Sequence, residues 1–280
     1  MKQPLPKLIV IDLDDTALTD DHMTMSLRTR EVLLACIEKG AIVVPCTGRG
    51  DCLIPRDQIP YRYGISSNGA VIWDEEHPEK PLYARYISKE SLVKSLEFLT
   101  QFDIMIQLFQ DREFVQEKRV VEHVDDFLSR LPVWHVPYLR SGRAIAVDSV
   151  LDYVRNAEDP KVVKINMVKK GMAQYADFIV RLRELSYSNQ DTDGHNIELM
   201  PPGVSKGNAV TFLAEHLGIS MDDVMVFGDD KNDLSMLRCA GWSVAMKNAA
   251  PEIQAAAKYC TPGTNNEDGI AEFILENFEL

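Results

Sequence analysis

Leu8-Ile9-Val10-Ile11 runs straight into Asp12-Leu13-Asp14-Asp15-Thr16, an abrupt change of chemistry within nine residues. Apolar residues at consecutive positions suit a strand covered on both faces of a parallel sheet, because a half-exposed strand alternates. The pattern repeats outward from there. Ser26 is placed to cap a helix through Glu38, with Leu27, Val32, Leu33, Ala35, Cys36 and Ile37 on its apolar side and Gly40 as its stop. Ala41-Ile42-Val43-Val44 is a second buried strand, and it runs into Pro45-Cys46-Thr47-Gly48-Arg49. Strand, helix and strand with short links form a right-handed βαβ unit. Residues 63–73 place two apolar arms around Asn68-Gly69, a hairpin signal.

The same texture returns far along the chain. Lys206 opens a helix that ends at Gly218, and residues 223–227 form a buried strand that breaks into Gly228-Asp229-Asp230-Lys231-Asn232-Asp233. A further strand is predicted at 240–246 and a last helix at 269–278. Between about 82 and 196, short strand-like pieces (104–107, 114–116, 162–168) alternate with helical ones (91–102, 119–131, 172–185). The predicted class is therefore α/β. A Rossmann-like doubly wound parallel-sheet core is built from residues 1–83 and 197–280, with a smaller α/β domain inserted at 84–196.

Composition narrows the function classes. The 280 residues are 45% hydrophobic, ample for a core, and the net charge of −13 argues against sequence-independent binding to nucleic acid or to an anionic membrane surface. Cys36, Cys46, Cys52, Cys239 and Cys260 contain no CxxC and read as reduced apolar residues. The apolar run before Asp12 is too short for a signal peptide or a membrane span, so a cytoplasmic protein is expected.

In an open parallel sheet, ligands bind outside the carboxyl ends of the strands, so the loops after Ile11, after Val44 and after Phe227 are expected to converge. They bring Asp12, Asp14, Asp15, Asp229, Asp230 and Asp233 toward one crevice. Carboxylates so gathered repel one another unless a cation sits among them, and oxygen ligands without His or Cys favour Mg²⁺. Such a site serves a phosphoryl group. One of the Asp12/Asp14 pair can attack phosphorus in line while the other moves the proton, with Lys206 supplying positive charge and Thr47 a hydroxyl donor.

These motifs, in order, resemble the four signatures of the haloacid dehalogenase superfamily of phosphatases. The likeness is greatest to its Cof-type, sugar-phosphatase-like branch with a C2-type α/β cap. Ser67-Asn68-Gly69-Ala70, Val204-Ser205-Lys206-Gly207 and residues 266–271 resemble secondary signatures of that branch. The resemblance implies Asp12 as nucleophile, Asp14 as general acid and base, Thr47 as phosphoryl hydrogen-bond donor and Lys206 as the charge-balancing cation. It implies Mg²⁺ on the Asp12 carboxylate, the Asp14 main-chain carbonyl and Asp229, with Asp233 in support. Gly48, Arg49, Asn68, Gly69 and Asn232 fall on the substrate side. Asp15 stands where the branch commonly has Gly and is expected to face solvent.

The expected activity is hydrolysis of a small phosphorylated metabolite, a sugar phosphate or similar monoester, with the insert closing over it. A phosphotransferase or mutase of the same superfamily and a non-catalytic phospho-ligand sensor are the alternatives. Trp134, His135, Arg140 and Arg143 are weaker candidates for contacts from the insert, and His22 reads as a surface or partly buried residue without a role.

Overall fold

The structure is a computed structural model that describes residues 2–102, 104–122, 144–169, 187–191 and 196–280. It divides into two units. Met1–Arg49, Ile54–Tyr83 and Ser205–Leu280 form the first, and Gly50–Leu53 with Ala84–Val204 form the second.

The first unit is built on a five-stranded sheet in the order Tyr259–Cys260, Trp242–Ala245, Val224–Gly228, Leu8–Ile11, Ile42–Pro45. Every pairing in it is parallel. Alternate residues supply opposite faces. Ile9, Ile11, Val43, Met225 and Phe227 pack with Leu33, Cys36, Ile270 and Ile274 on one side. Leu8, Val10, Val44, Val224 and Val226 pack with Val210, Leu213 and Leu237 on the other. Both faces are dry, which is why the strands read as unbroken apolar runs; each buried aliphatic side chain contributes about 1.5–3 kcal/mol.

Ser26 is the cap the sequence predicts, and Ser205 is a second one that the structure adds. Ser26 Oγ accepts from Thr29 N–H at 3.1 Å at the start of Leu27–Glu38. Ser205 Oγ accepts from Asn208 N–H at 3.2 Å at the start of Lys206–Leu217, and Gly218 ends that helix with φ +67°. Leu27, expected on the apolar side, is instead exposed: as the first helical residue it faces solvent. The expected hairpin pairs Tyr63–Ser66 with Val71–Asp74 in antiparallel register.

The second unit has its own six-stranded sheet, in the order Ser188–Asp191, Asn196–Met200, Lys164–Lys169, Ile104–Phe109, Phe114–Glu117, Ala144–Val147. Its pairings are antiparallel except for the last. The helices Lys89–Leu99 and Val150–Asn156 supply Leu92, Leu96, Leu99, Val150 and Val154 to the apolar cluster on one face.

One boundary needs correction. Asn196–Met200, expected to begin the return to the core at 197, pairs with Lys164–Lys169 instead, so the return comes after Val204. Ile197 and Leu199 alternate as they would in any half-buried strand, and only the distant partner decides the sheet. The predicted helix at 172–185, most of that at 119–131, and Trp134, His135, Arg140 and Arg143 lie outside the described residues. Among the described residues no helix is long and apolar enough to cross a membrane.

Candidate active site

The strand Leu8–Ile11 lies between its successor in sequence, Ile42–Pro45, and the late strand Val224–Gly228. Strand order reverses there, the place where an open α/β sheet forms its ligand crevice. Asp12 leaves the first strand still tied to the late one, its N–H donating to Phe227 O at 3.0 Å. The chain then makes one wide turn, closed by Leu18 N–H on Leu13 O at 2.8 Å. Asp15 adopts φ +54° in that turn and is exposed, a left-handed position that Asp tolerates better than most residues. Its carbonyl accepts from the Asn248 side chain at 2.7 Å.

Lys206, fully buried at the start of its helix, joins the loops electrostatically. Its Nζ donates to Asp12 Oδ1 at 2.7 Å and to Asp233 Oδ1 at 2.6 Å. The other Asp233 oxygen accepts from the N–H groups of Asp229 and Asp230, at 2.9 and 3.1 Å. Asp233 thus spends both oxygens on the protein, which suits support of the loop. Gly228 makes room for it, since a Cβ there would lie 2.5 Å from the Asp233 carboxyl carbon. Asp229 points back to the first loop and accepts from the Thr16 hydroxyl at 2.5 Å.

Carboxylate oxygens of Asp12, Asp229 and Asp233 all lie within 4.8 Å of one another. Burial, then the charge of Asp233, pushes the Asp12 carboxyl well above its ordinary range against the pull of Lys206. The same two causes raise Asp229 to about 8. Lys206 is raised despite burial, because Asp12 and Asp233 hold its proton. The cluster therefore has more negative charge than one ammonium offsets, and its all-oxygen donor set fits a hard divalent cation such as Mg²⁺.

Asp14 faces the other way. Its carboxylate is bound by the Arg49 guanidinium, with Arg49 Nε on Oδ2 at 2.9 Å and Arg49 Nη2 on Oδ1, and His22 Nδ1 lies 3.1 Å from Oδ1. Burial works upward on it, but the bonds from Arg49 and His22 win and bring it down to about 2. His22 is raised in turn, chiefly by the bond to Asp14. Arg49, buried, also donates to the His22 carbonyl at 2.6 Å.

The remaining predicted residues gather around Thr47. Its Oγ accepts from Arg49 N–H at 3.1 Å, which leaves the hydroxyl proton to donate. Asn68 N–H donates to Thr47 O at 3.0 Å, and Asn68 Oδ1 accepts from Asn232 Nδ2 at 3.1 Å. Ser67, Asn68 and Gly69 have φ of +50°, +56° and +95° in succession. A Cβ on Gly69 would meet Ser205 O at 2.4 Å, so this turn can lie against the start of the Lys206 helix only with glycine there. Gly48 sits under the same amide, where a Cβ would be 3.1 Å from Asn68 Oδ1.

Thr16 and Asn248 carry no functional expectation from sequence, and His22, expected to have no role, lies 3.1 Å from the Asp14 carboxylate instead. Thr16 and Asn248 follow strand ends at the same sheet edge, a signal that could have found them. His22 has no such signal, since it reaches Asp14 through a loop in which it adopts φ +54°.

The chain is similar to known proteins over nearly its whole length. The haloacid dehalogenase-like hydrolase family matches residues 9–274. The 5-amino-6-(5-phospho-D-ribitylamino)uracil phosphatase YwtE of Bacillus subtilis is 27% identical over 96% of this chain and 96% of its own. Phosphatase YwpJ of the same organism is 29% identical, over 96% of this chain and 98% of its own. A haloacid dehalogenase-like hydrolase of Bacteroides thetaiotaomicron superimposes with a TM-score of 0.81 at 27% identity, covering 98% of this chain and 100% of that one. With the ordered loops, the crevice and the full-length match in agreement, the chain belongs to the haloacid dehalogenase-like hydrolase family, as a phosphatase of its Cof-type branch.

Proposed function

We propose that this phosphatase is Mg²⁺-dependent and hydrolyses small phosphorylated metabolites, sugar phosphates or similar monoesters, in the cytoplasm, through phosphoryl transfer to Asp12. The observation that carries the proposal is the buried cluster in which Lys206 bridges Asp12 and Asp233 beside Asp229. Asp12, the main-chain carbonyl of Asp14 and Asp229 would hold the metal, with Asp233 behind them. Bound there, Mg²⁺ offsets the carboxylate charge and that of the phosphoryl oxygens.

A carboxylate oxygen of Asp12 attacks phosphorus in line, and the phosphorus–oxygen bond to the leaving group breaks as Asp14 gives that oxygen a proton. Asp14 then takes a proton from water, whose oxygen attacks phosphorus and frees Asp12 and phosphate. As it stands, Asp14 is in its base form; for the first step it must leave Arg49 and His22 and take up a proton. Lys206 has used two of its three N–H bonds and turns the third to a phosphoryl oxygen, alongside the Thr47 hydroxyl. Gly48, Asn68, Gly69 and Asn232 border the phosphoryl group, while Arg49 reaches it only when its pair with Asp14 opens. These residues see phosphate and metal alone, so discrimination among leaving groups falls to the inserted unit. The ester named in the YwtE relative, a ribityl phosphate, is one member of the proposed class.

A panel of phosphomonoesters assayed with Mg²⁺ and with EDTA tests the proposal. Metal-dependent phosphate release that Asp12→Asn abolishes is expected. No turnover on any ester refutes hydrolysis, and full activity in Asp12→Asn refutes the nucleophile.

A further inference from the structure

The stretch 266–271 resembles a family signature, yet the proposed reaction gives it no task. With the residues just before it, it forms a rigid seat. Thr264 and Glu267 cap the short turn Asn265–Glu267 reciprocally, and Thr264 N–H donates to a Glu267 carboxylate oxygen at 3.1 Å. Gly269 N–H donates to Thr264 O at 3.0 Å, and a Cβ on Gly269 would lie 2.1 Å from Gly263 O, so the chain packs tightly on itself here.

From that seat two asparagines grip the turn that follows Asp12. Asn265, only 7% exposed, donates through Nδ2 to Leu18 O at 3.0 Å and to Asp20 Oδ1 at 3.2 Å. Its N–H donates to Asn248 Oδ1 at 3.2 Å, and Asn248 Nδ2 in turn donates to Asp15 O at 2.7 Å. Carbonyls only accept and a backbone N–H only donates, so neither amide can be reversed. The linked pair therefore holds both ends of the segment from Asp15 to Leu18. Asn266 differs. Its side chain accepts from Asp20 N–H at 3.1 Å and donates to Asp20 Oδ1 at 2.6 Å, beyond the turn.

The gripped segment needs holding. Asp15 has φ +54°, and a left-handed residue other than glycine is strained and persists only where its surroundings over-determine it. Its two neighbours belong to the metal site. The Asp14 carbonyl precedes it, and Thr16, buried, follows it and donates from its hydroxyl to Asp229 Oδ1 at 2.5 Å. Asn248 fixes the plane of the Asp15–Thr16 peptide between them. Relaxation of Asp15 would turn the Asp14 carbonyl and draw Thr16 off Asp229 together.

We propose that Asn248 and Asn265 are positioning residues that hold the Asp15 corner so that the Asp14 carbonyl and the Asp229 carboxylate serve one Mg²⁺. The inference rests on the metal reading above and adds to it two residues that touch neither metal nor substrate. It is tested by titrating Mg²⁺ into substrate-free protein and following the melting temperature, in the unaltered chain and in Asn248→Ala, Asn265→Ala and Asn266→Ala. The Mg²⁺ concentration for half the full shift should rise about tenfold in Asn248→Ala and Asn265→Ala, the lower end of what a lost partner behind a metal ligand costs, and stay within about twofold in Asn266→Ala. A merely structural clamp would lower all three melting temperatures and leave the three midpoints alike, which overturns the proposal. So does an unchanged midpoint in Asn248→Ala, an exposed residue whose truncation opens no cavity and which decides the matter if Asn265→Ala does not fold. If Mg²⁺ does not shift the unaltered protein, the metal reading fails separately. Hydrogen exchange at the Leu18 amide, which closes the turn on Leu13 O, then decides the clamp: faster exchange in Asn248→Ala than in Asn266→Ala upholds it, and equal rates overturn it.

Discussion

Lys206→Met takes the ammonium from between Asp12 and Asp233 while nearly preserving side-chain volume, so the cavity term is small. Both Lys206 and Asp233 are fully buried, and removing one member of a buried ion pair costs about 3–5 kcal/mol, because the remaining charge is uncompensated. For a protein of this size, at about 2–4 °C per kcal/mol, the melting temperature should fall by about 6–20 °C. The sign with pH also follows. Asp12 already titrates above its ordinary range, and loss of Lys206 raises it further. A carboxyl raised on folding costs stability as pH climbs from its unfolded toward its folded value. The deficit should therefore be small near about pH 5 and large near about pH 9, where protonation no longer relieves the repulsion. Thermal unfolding followed by circular dichroism in EDTA, for both proteins at both pH values, measures it. A fall of less than about 2 °C at the higher pH, or a larger deficit at the lower one, refutes the reasoning.

Asp229, held at about 8 by burial and by Asp233, makes protons compete with metal, so Mg²⁺ should raise the melting temperature more at about pH 8.5 than at about pH 6. A shift independent of pH, read by scanning fluorimetry, contradicts this. His22 is raised above 6.5 chiefly by its bond to Asp14, so its contribution is full below 6.5 and lost as pH rises through the raised value. His22→Asn should be less stable at about pH 5.5, by under about 1 kcal/mol after solvent screening, and equal to the parent at about pH 9 in urea unfolding. Gly69→Ala, with φ +95° and Ser205 O in its way, should lose more than about 1 kcal/mol in the same assay, and phosphate release should fall with it.

The central sheet is legible in sequence because Leu8–Ile11, Ile42–Pro45 and Val224–Gly228 are buried on both faces and each breaks straight into its loop. The site is legible to the same extent, since Asp12, Thr47 and Asp229 follow strand ends and a parallel sheet sends those ends to one edge. Contacts made by side chains across distant loops are not. Nothing around His22 marks it as the partner of Asp14, and Arg49 next to Thr47 reads equally well as a phosphate ligand. The boundary near 197 is missed for the same reason, because alternation in Asn196–Met200 does not say which sheet it joins.

The seam between Leu8–Ile11 and Val224–Gly228 has a consequence for the chain's synthesis. Lys7 and Asp223, which meet beside it, are 216 residues apart. At about 5–20 residues per second, the first strand leaves the ribosome about 10–40 s before its neighbour exists. Throughout that interval its inner edge has unpaired amides and carbonyls between apolar faces, a template for association with other nascent chains. The strands of the second unit, all of them earlier in sequence, pair among themselves during the wait. A ribosome that stalls before Val224 therefore releases a chain whose insert is complete but whose Leu8–Ile11 strand is still open, a natural client for a chaperone that covers apolar strands.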